Sequence, residues 1–252
     1  MNDIIASRLW VLGWAGTVEF FESNREWLLD LGRKMGVPAF FRLMPEMSHY
    51  YAIKNEFQAI CEDGSNIQVS TVQWDVKDGP RFDIGFVNED GQKEPCPVIV
   101  HASSFGSIER ALCAILENIA IDAVSGKSPM FPLWLAPSQL RLIPVSVKHI
   151  EHAAELRRQA SSSQVRAEID DREESVGKRI REAEKDWIPY VVVLGDREAD
   201  SEVLPVRCRR DSAVREMPLQ ELASEISGLV GNMPYRPLPL PERLSQRPVF
   251  VG

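Results

Sequence analysis

A histidine and an arginine stand close together in the stretch VIVHASSFGSIERALCAILENIA. The pattern predicts a strand that ends at His101, a short loop, and a helix that carries Arg110 in its first turn. A helix N-terminus attracts anions, so a cation there is unfavourable unless it shares a bound anion. The pattern therefore suggests a phosphate site at Arg110. The alternative, which these residues alone favour, is an ion pair with a carboxylate such as Asp75 or Glu109.

The residues around this loop leave further roles open. Gly106 precedes the expected helix start at Ser107 and would let a flat or bulky ligand approach the backbone. His101 could ligate a metal, with Cys96 as a conceivable partner, or it could be a hydrogen-bonded core histidine.

Four polar residues occupy the strands of a predicted hairpin upstream of the histidine, namely Tyr51, Gln68, Thr71 and Gln73. They alternate with apolar neighbours, so we expect their side chains to share one sheet face and to line a polar pocket. Inward polar groups need partners, and a ligand is one way to supply them. An exposed sheet face is the alternative.

Composition restricts the class of protein. The 252 residues, 44% of them hydrophobic, suffice for two globular domains. No apolar run approaches the ~20 residues that span a bilayer, and the four cysteines form no CxxC pair. We therefore expect no membrane association and a cytoplasmic location.

The charge is unevenly distributed. The formal net charge is -8, yet residues 139–252 carry 18 Lys and Arg against 19 Asp and Glu, and 15 of those cations are arginine. Arginine binds phosphates and stacks on bases, so a nucleic-acid partner is compatible with the second half. A solvated, salt-bridged surface is the alternative.

The first half has the texture of an antiparallel sheet with helices. A capping box at 23–26 predicts a helix over 24–35, followed by a short strand AFFRLM. Two hairpins are expected, YYAIKNEFQAIC with IQVSTVQWDV and RFDIGFV with PVIVHA. The helix after Gly106 should bury one stripe, made of Ile108, Ala111, Leu112, Ile115, Leu116 and Ile119.

The second half alternates strands and helices after the proline-rich segment 125–139, which resembles a linker. This alternation predicts a small α/β domain with a mostly parallel sheet. The ending MPYRPLPLPERLSQRPVFVG should lie extended along the surface. The expected fold is thus an α+β antiparallel sheet followed by a small α/β domain.

Several segments resemble, in order, those of threonyl-tRNA synthetases, most closely the archaeal ones: TVQWDV, VIVHASSFGSIER, PLWLAPSQLRLIPV, REESVGKRIREAEKDWIPYVVVLGDRE, LPVRCRR and PYRPLPLP. The GSIER segment is similar to the third motif of class II aminoacyl-tRNA synthetases. The resemblance implies a partial class II catalytic domain at 1–130, a linker at 131–140 and an anticodon-binding domain with a Pro-rich tail at 141–252. It implies a threonine–tRNA ligase.

For ATP and its Mg²⁺, the resemblance implies that Arg110 is the catalytic motif 3 arginine, which binds the terminal phosphate. It places Gln68 and Thr71 around the adenosine. Those assignments turn phosphate binding by Arg110 into the favoured interpretation.

For threonine, the resemblance implies contacts from Tyr51, Lys54 and Gln73. His101 matches one of three zinc ligands, and zinc in this family selects threonine through its hydroxyl. The other two ligands, and the first two class II motifs, belong to a portion N-terminal to the match.

For tRNA, the resemblance implies anticodon-reading positions at Arg181, Glu198 and Arg207, with Arg172 and Glu173 nearby. Planar arginine and carboxylate groups suit the edges of unstacked bases.

The expected function is therefore the C-terminal portion of a threonyl-tRNA synthetase, whose unaided activity is doubtful. A separately encoded N-terminal half is a possible partner, and the sequence does not decide whether a homodimer forms. The alternatives are a non-catalytic tRNA-binding protein or subunit, and a small-molecule or nucleotide sensor that uses the remaining pocket.

Overall fold

The computed structural model describes residues 10–248. The chain divides into two compact units, Met1–Ile121 and Asp122–Gly252. Among residues 10–248, no helix combines the length and apolar composition needed to cross a membrane.

The first unit is built on a five-stranded sheet with the order β2-β1-β3-β4-β7. Its strands are β1 (Trp10–Thr17), β2 (Ala39–Met44), β3 (Tyr51–Ile60), β4 (Asn66–Asp75) and β7 (Ile99–Ser103). Strand β1 runs parallel to β2, and the other neighbours are antiparallel. A separate two-stranded hairpin consists of β5 (Gly85–Val87) and β6 (Lys93–Pro95).

Helix α1 (Val18–Met35) begins earlier than the sequence suggests. The Thr17 side chain caps it by accepting the N–H of Phe20, and the predicted capping box at 23–26 instead lies inside the helix. Asn24 has non-helical torsion angles there and donates its side-chain amide to the Phe20 carbonyl, which kinks the helix. The predicted start at residue 24 is therefore wrong, since a local break resembles a cap in sequence.

One of the two predicted hairpins forms as expected, between β3 and β4. The other does not: β5 pairs with Lys93–Pro95, whereas Ile99–Ser103 pairs with β4. The edge of β4 offers a row of unpaired backbone groups, and β7 satisfies them. This pairing carries His101 into the main sheet.

Helix α3 (Ile108–Val124) begins after Ser107, whose hydroxyl accepts the Arg110 N–H at 3.3 Å. Its buried residues are Ala111, Ala114, Ile115 and Ile119. The predicted stripe is wrong at Ile108, Leu112 and Leu116, which are exposed. A short helix α2 (Asp78–Arg81) follows β4.

The second unit is an α/β domain on a sheet with the order β12-β11-β10-β8-β9. Its strands are β8 (Leu140–Pro144), β9 (Ala167–Ile169), β10 (Tyr190–Leu194), β11 (Val203–Cys208) and β12 (Val214–Pro218). Its helices are α4 (Ile150–Ser162), α5 (Val176–Lys185), α6 (Asp196–Ala199) and α7 (Leu219–Val230), with 3-10 turns at Val147–His149 and Leu244–Gln246. Strands β9, β8 and β10 are parallel, and β11 and β12 are antiparallel.

Two apolar clusters hold this unit together. One contains Leu142 and Val192 of the sheet with residues of α4 and α7. The other contains Ile143 and Val191 of the sheet with Ala183 of α5. Neighbouring residues of one strand enter different clusters, so helices pack on both sheet faces, as the alternation of strands and helices predicts.

The segment 131–140, expected as a linker, lies within the second unit. Leu133 and Ala136 are buried, and the Arg166 guanidinium donates to the carbonyls of Leu133, Trp134 and Ala136. The segment is therefore tied to this unit by hydrogen bonds and by burial.

A buried carboxylate, Glu168 of β9, joins three parts of the second unit. It accepts the Ser138 hydroxyl and the Arg141 Nε–H, the latter at 2.6 Å, and forms a 2.8 Å ion pair with Arg247. Glu168 and Arg141 are almost fully buried. Arg141 also donates to the half-exposed Asp186 at 2.8 Å, so Glu168 is the buried one of the two carboxylates that compensate its charge.

The change Glu168→Ala should lower the free energy of unfolding by about 3 kcal/mol, the lower end for a broken buried pair, because the buried Arg141 guanidinium keeps only its ion pair with the half-exposed Asp186. Urea denaturation measures the loss. The exposed Glu202 provides a matched control, and equal effects of Glu168→Ala and Glu202→Ala would contradict this role.

Candidate functional site

One face of the first sheet gathers the polar residues identified in the sequence. Lys54, Gln73 and His101 are direct cross-strand neighbours on β3, β4 and β7. Glu56 and Thr71 form the next pair along the same strands. Since cross-strand neighbours point to the same side of a sheet, these side chains share one face.

Two bulges bring the remaining polar residues to that face. Tyr51 and Lys54 are three positions apart, as are Gln68 and Thr71, so regular alternation would place each pair on opposite faces. The register shifts by one residue at two places. On β3 the extra residue lies between Tyr51 and Ile53. On β4 it lies between Gln68 and Ser70, which pair with Gln58 and Phe57. Each bulge adds one residue and reverses the parity.

A chain of polar contacts runs along this face. Lys54 forms an ion pair with Glu56, and the Gln58 side-chain amide donates to Glu56 at 2.6 Å. The Asn66 amide then donates to the Gln58 carbonyl oxygen. Gly13 lies opposite Glu56 on β1, and a Cβ there would stand only 3.1 Å from the Gln58 amide nitrogen. The glycine therefore leaves room for this chain.

His101 is fixed by the buried carboxylate of Asp75. Its Nε2 lies 2.8 Å from Asp75 Oδ2, while Asp75 Oδ1 accepts the N–H groups of Lys77 and Asp78 at 2.9 Å. Burial alone would raise the pKa of Asp75, but the hydrogen bonds from Asp78, His101 and Lys77 outweigh it and lower the pKa to about 2. An ionised Asp75 accepts a hydrogen bond from Nε2, and Nδ1 is the ring nitrogen of His101 that has no hydrogen bond among residues 10–248.

The first metal hypothesis for His101 is not supported by this geometry. The Cys96 thiol donates to the Val98 carbonyl at 3.2 Å. Within residues 10–248, the side chains that could share a cation near the histidine are Asp75, Asp78 and His101. Cys96 is absent from that group.

Tyr50, for which the sequence predicted no role, contacts two site residues. Its hydroxyl donates to Gln73 Oε1, and its ring lies edge-on to His101 with centroids 5.6 Å apart. The adjacent Tyr51 is buried and stacks on His49. The adjacent pair of tyrosines was the sequence feature that could have indicated these contacts.

Arg110 lies at the far end of the polar face. It lines a cavity of about 540 Å³ with Asn66, Ile67, Gln68, Glu109 and Cys113. Among residues 10–248 its guanidinium has no hydrogen bond or ion pair. The alternative ion pairs with Asp75 and Glu109 do not form, because Asp75 is occupied by His101 and backbone N–H groups. The exposed cation is available to an anion.

Gly106 has a structural reason that differs from the expected one. Its φ angle is +64°, and a Cβ there would lie 2.8 Å from the Val69 carbonyl oxygen. The glycine thus allows the loop to approach β4 closely. Whether a ligand also approaches the backbone at Gly106 stays a prediction.

The five positions expected to read tRNA lie in the second unit, in three settings. Arg181 of α5 and Arg207 of β11 line one cavity of about 540 Å³. Arg172 and Glu173 line another, of about 340 Å³, at the loop after β9. Glu198 lies in neither group of lining residues, and its carboxylate accepts the Gly195 N–H at 2.9 Å.

Arg172 is held by a buried carboxylate. Its Nε and Nη2 donate to the two oxygens of Asp170 at 2.8 and 2.7 Å. Hydrogen bonding to Asp170 raises the pKa of Arg172. This fork-to-fork pair fixes the guanidinium in one orientation.

Acid should expose the contribution of Asp75 to stability. Its pKa is about 2 in the folded protein and about 3.9 in an unfolded chain. The stabilisation is therefore present above about pH 4 and is lost as pH falls towards 2. Between pH 5 and pH 2 the free energy of unfolding should fall more steeply in the wild type than in Asp75→Asn. The exposed control Asp83→Asn should show the same pH dependence of the free energy of unfolding as the wild type. The same pH dependence in Asp75→Asn would contradict this role of Asp75.

Comparison with known proteins bears on both units. Residues 17–119 match the family model described as tRNA synthetase class II core domain (G, H, P, S and T), and residues 139–229 match that of the anticodon binding domain.

Among curated relatives, the threonine–tRNA ligase of Methanobrevibacter smithii is 43% identical over 231 residues, covering 92% of this chain and 38% of that protein. That of Methanocaldococcus jannaschii is 42% identical over 243 residues, covering 93% and 39%. The chain thus spans about two fifths of the length of these relatives.

Solved structures share the fold. The RNA binding domain of threonyl-tRNA synthetase from Cryptosporidium parvum aligns with a TM-score of 0.67 at 22% identity, over 90% of this chain and 56% of that one. The putative threonyl-tRNA synthetase ThrRS-1 from Aeropyrum pernix gives 0.62 at 20% identity, over 95% and 58%. Taken with the curated relatives, these matches show that the chain corresponds to the C-terminal portion of threonyl-tRNA synthetases, a class II core segment followed by an anticodon-binding domain.

Proposed function

We propose that this chain serves the ATP-dependent attachment of threonine to its tRNA, with the first unit contributing part of the active site and the second unit recognising the anticodon. The observation that carries the proposal is the continuous polar face of the first sheet. The chain of contacts on it begins at Lys54, beside Gln73 and His101, and reaches Asn66 at the Arg110 cavity. An amino acid and a nucleotide need such adjacent places to react in line.

The nucleotide end is the Arg110 cavity. The guanidinium is exposed and without a partner among residues 10–248, and a phosphate would supply both charge and hydrogen bonds to it. Gln68 lies in the same cavity, and Thr71 faces the same side of the sheet, so both suit contacts to the adenosine. Arg110 and Mg²⁺ would neutralise phosphate charge during transfer.

The amino-acid end is the row of Lys54, Gln73 and His101, with Tyr51 on the same face. Gln73 is held by the Tyr50 hydroxyl and His101 by Asp75. Both side chains are thus oriented before a ligand arrives, which lowers the cost of binding.

A zinc ion fits this end only in part. His101 with a carboxylate behind its ring has the form of a metal ligand and its supporting hydrogen bond. It offers one imidazole where zinc takes three or four protein ligands. We infer that His101 would hold zinc only together with ligands supplied from outside residues 10–248. A zinc ion bound in this way would distinguish a hydroxyl-bearing amino acid from its apolar isostere.

The tRNA end is the second unit. Arg181 and Arg207 share one cavity, and Arg172 and Glu173 line another. Guanidinium planes stack on splayed bases, and guanidinium and carboxylate groups pair with base edges. Glu198 contributes from α6, the short helix after β10. The anticodon of a threonine tRNA is the proposed ligand.

The active site of the first unit needs further polypeptide to complete it. The relatives carry about three fifths of their length beyond the matched segment. We infer that the other catalytic groups come from polypeptide that corresponds to that portion. A tRNA-binding protein without catalysis is the alternative.

Residues 1–252, purified alone, should show no threonine-dependent exchange of pyrophosphate into ATP. One arginine and one zinc ligand cannot neutralise the phosphates and hold threonine at once. A full-length archaeal relative serves as the positive control for the assay. Exchange above the background of Arg110→Ala would contradict the need for groups outside residues 1–252.

Arg207→Ala and Arg181→Ala should each weaken binding of a threonine tRNA transcript by about tenfold, the value of one good base contact. Filter binding measures this. The control is Arg158→Ala, an exposed arginine paired with Glu155 on α4. Wild-type affinity should also fall steeply with salt, and equal affinity for unrelated tRNAs would contradict anticodon recognition.

A further inference from the structure

The C-terminal strap, residues 241–247, runs beside the edge strand β9. The Ile169 N–H donates to the Glu242 carbonyl at 2.9 Å, and Ile169 pairs with Arg243 in a parallel bridge. Glu242 also forms an ion pair with Arg157 of α4. The strap therefore adds a short strand-like segment to the sheet.

A buried ion pair anchors the end of the strap. Arg247 lies 2.8 Å from Glu168, a side chain with only 1% exposure, and its Nε–H donates to the Pro241 carbonyl at 2.9 Å. The first contact joins the strap to the sheet, and the second closes the strap on itself. Both hold residues 241–247 in a fixed place beside β9.

Between these anchors, Ser245 is hydrogen-bonded to the loop that follows β9. Its N–H donates to Asp171 Oδ1 at 3.0 Å, and its hydroxyl donates to Asp171 Oδ2 at 2.8 Å. Both carboxylate oxygens of Asp171 are therefore engaged by one residue of the strap. Hydrogen bonds to an ionised acceptor are stronger than neutral ones.

The same loop is held from the inside by the neighbouring residue. Asp170 is fully buried and forks onto the Arg172 guanidinium, and its carbonyl accepts Nη1 of the buried Arg179 at 2.7 Å. Two adjacent aspartates thus face opposite ways, one to the core and one to the strap. Together they fix the loop 170–175.

We propose that the strap is a positioning element for tRNA recognition, with Ser245 holding Asp171 so that Arg172 and Glu173 are presented in one conformation. This inference rests on the proposed anticodon recognition. A loop ordered before binding loses less conformational entropy on binding, so affinity rises without any contact between the strap and the tRNA. Ser245 is a positioning residue.

The test compares Ser245→Ala with Ser245→Thr, which keeps the hydroxyl, and with Ser224→Ala as control. Ser224 is exposed and donates to the Gln220 carbonyl within α7. Amide hydrogen exchange of residues 170–175 is measured in the free protein, and the dissociation constant for a threonine tRNA transcript is measured by filter binding.

We expect Ser245→Ala to speed exchange in residues 170–175 and to weaken tRNA binding about fivefold, the worth of one charge-assisted hydrogen bond discounted for its exposure. Ser245→Thr should restore both, and Ser224→Ala should change neither. Urea denaturation of the three variants separates this effect from general instability.

Unchanged amide exchange of residues 170–175 in Ser245→Ala would show that the Ser245 side chain does not hold the loop. Faster exchange with unchanged affinity would overturn the role in recognition and leave the strap as packing alone. A wild-type chain that binds no tRNA would overturn the proposed anticodon recognition and this role with it, whereas exchange in the free protein would still report whether Ser245 holds the loop.

Discussion

The register of the β3–β4 hairpin is the constraint on which the first unit depends. It places Lys54 opposite Gln73 and, through β7, Gln73 opposite His101. Without its two bulges, Tyr51 and Gln68 would point to the other face, towards the side that α1 covers. A shift of one residue on β3 would move Lys54 to the face where Ile53 is buried against α1, so burial of that face favours the observed register of β3.

The second unit uses buried carboxylates to hold arginines. Asp170 orients Arg172, and Glu168 joins Arg141 to Arg247. A buried ion pair adds little net stability but fixes geometry, since each charge tolerates few alternative partners. If this domain binds tRNA as proposed, it has to keep its structural arginines distinct from those that face the ligand. Here burial makes that distinction.

The sequence predicted the order of elements well and their pairing less well. The alternation after residue 139 indicated strands β8 to β11 and helices on both faces, because each element carries its own apolar period. The partner of Ile99–Ser103 was wrong, since hairpin proximity in sequence does not report an edge that needs covering. The start of α1 was wrong because Asn24 bonds locally in a helix as it would at a cap.

The roles of the site residues were predicted mainly from the family resemblance. The chemistry of the residue types alone predicted fewer of these roles. Arg110, His101 and the polar strand residues were visible as types in a pattern. Asp75 and Tyr50, which hold His101 and Gln73, were not, because their roles depend on which strands meet. The bulges were equally invisible, since one inserted residue leaves no compositional trace.

The assigned function depends above all on recognition of the threonine tRNA anticodon by the second unit. Chemical footprinting of a threonine tRNA transcript with the purified chain tests it most directly. The account predicts protection of the anticodon loop, reduced in Arg207→Ala, and none in a tRNA with an unrelated anticodon. Protection confined to the acceptor stem, or spread evenly along the tRNA, would contradict it.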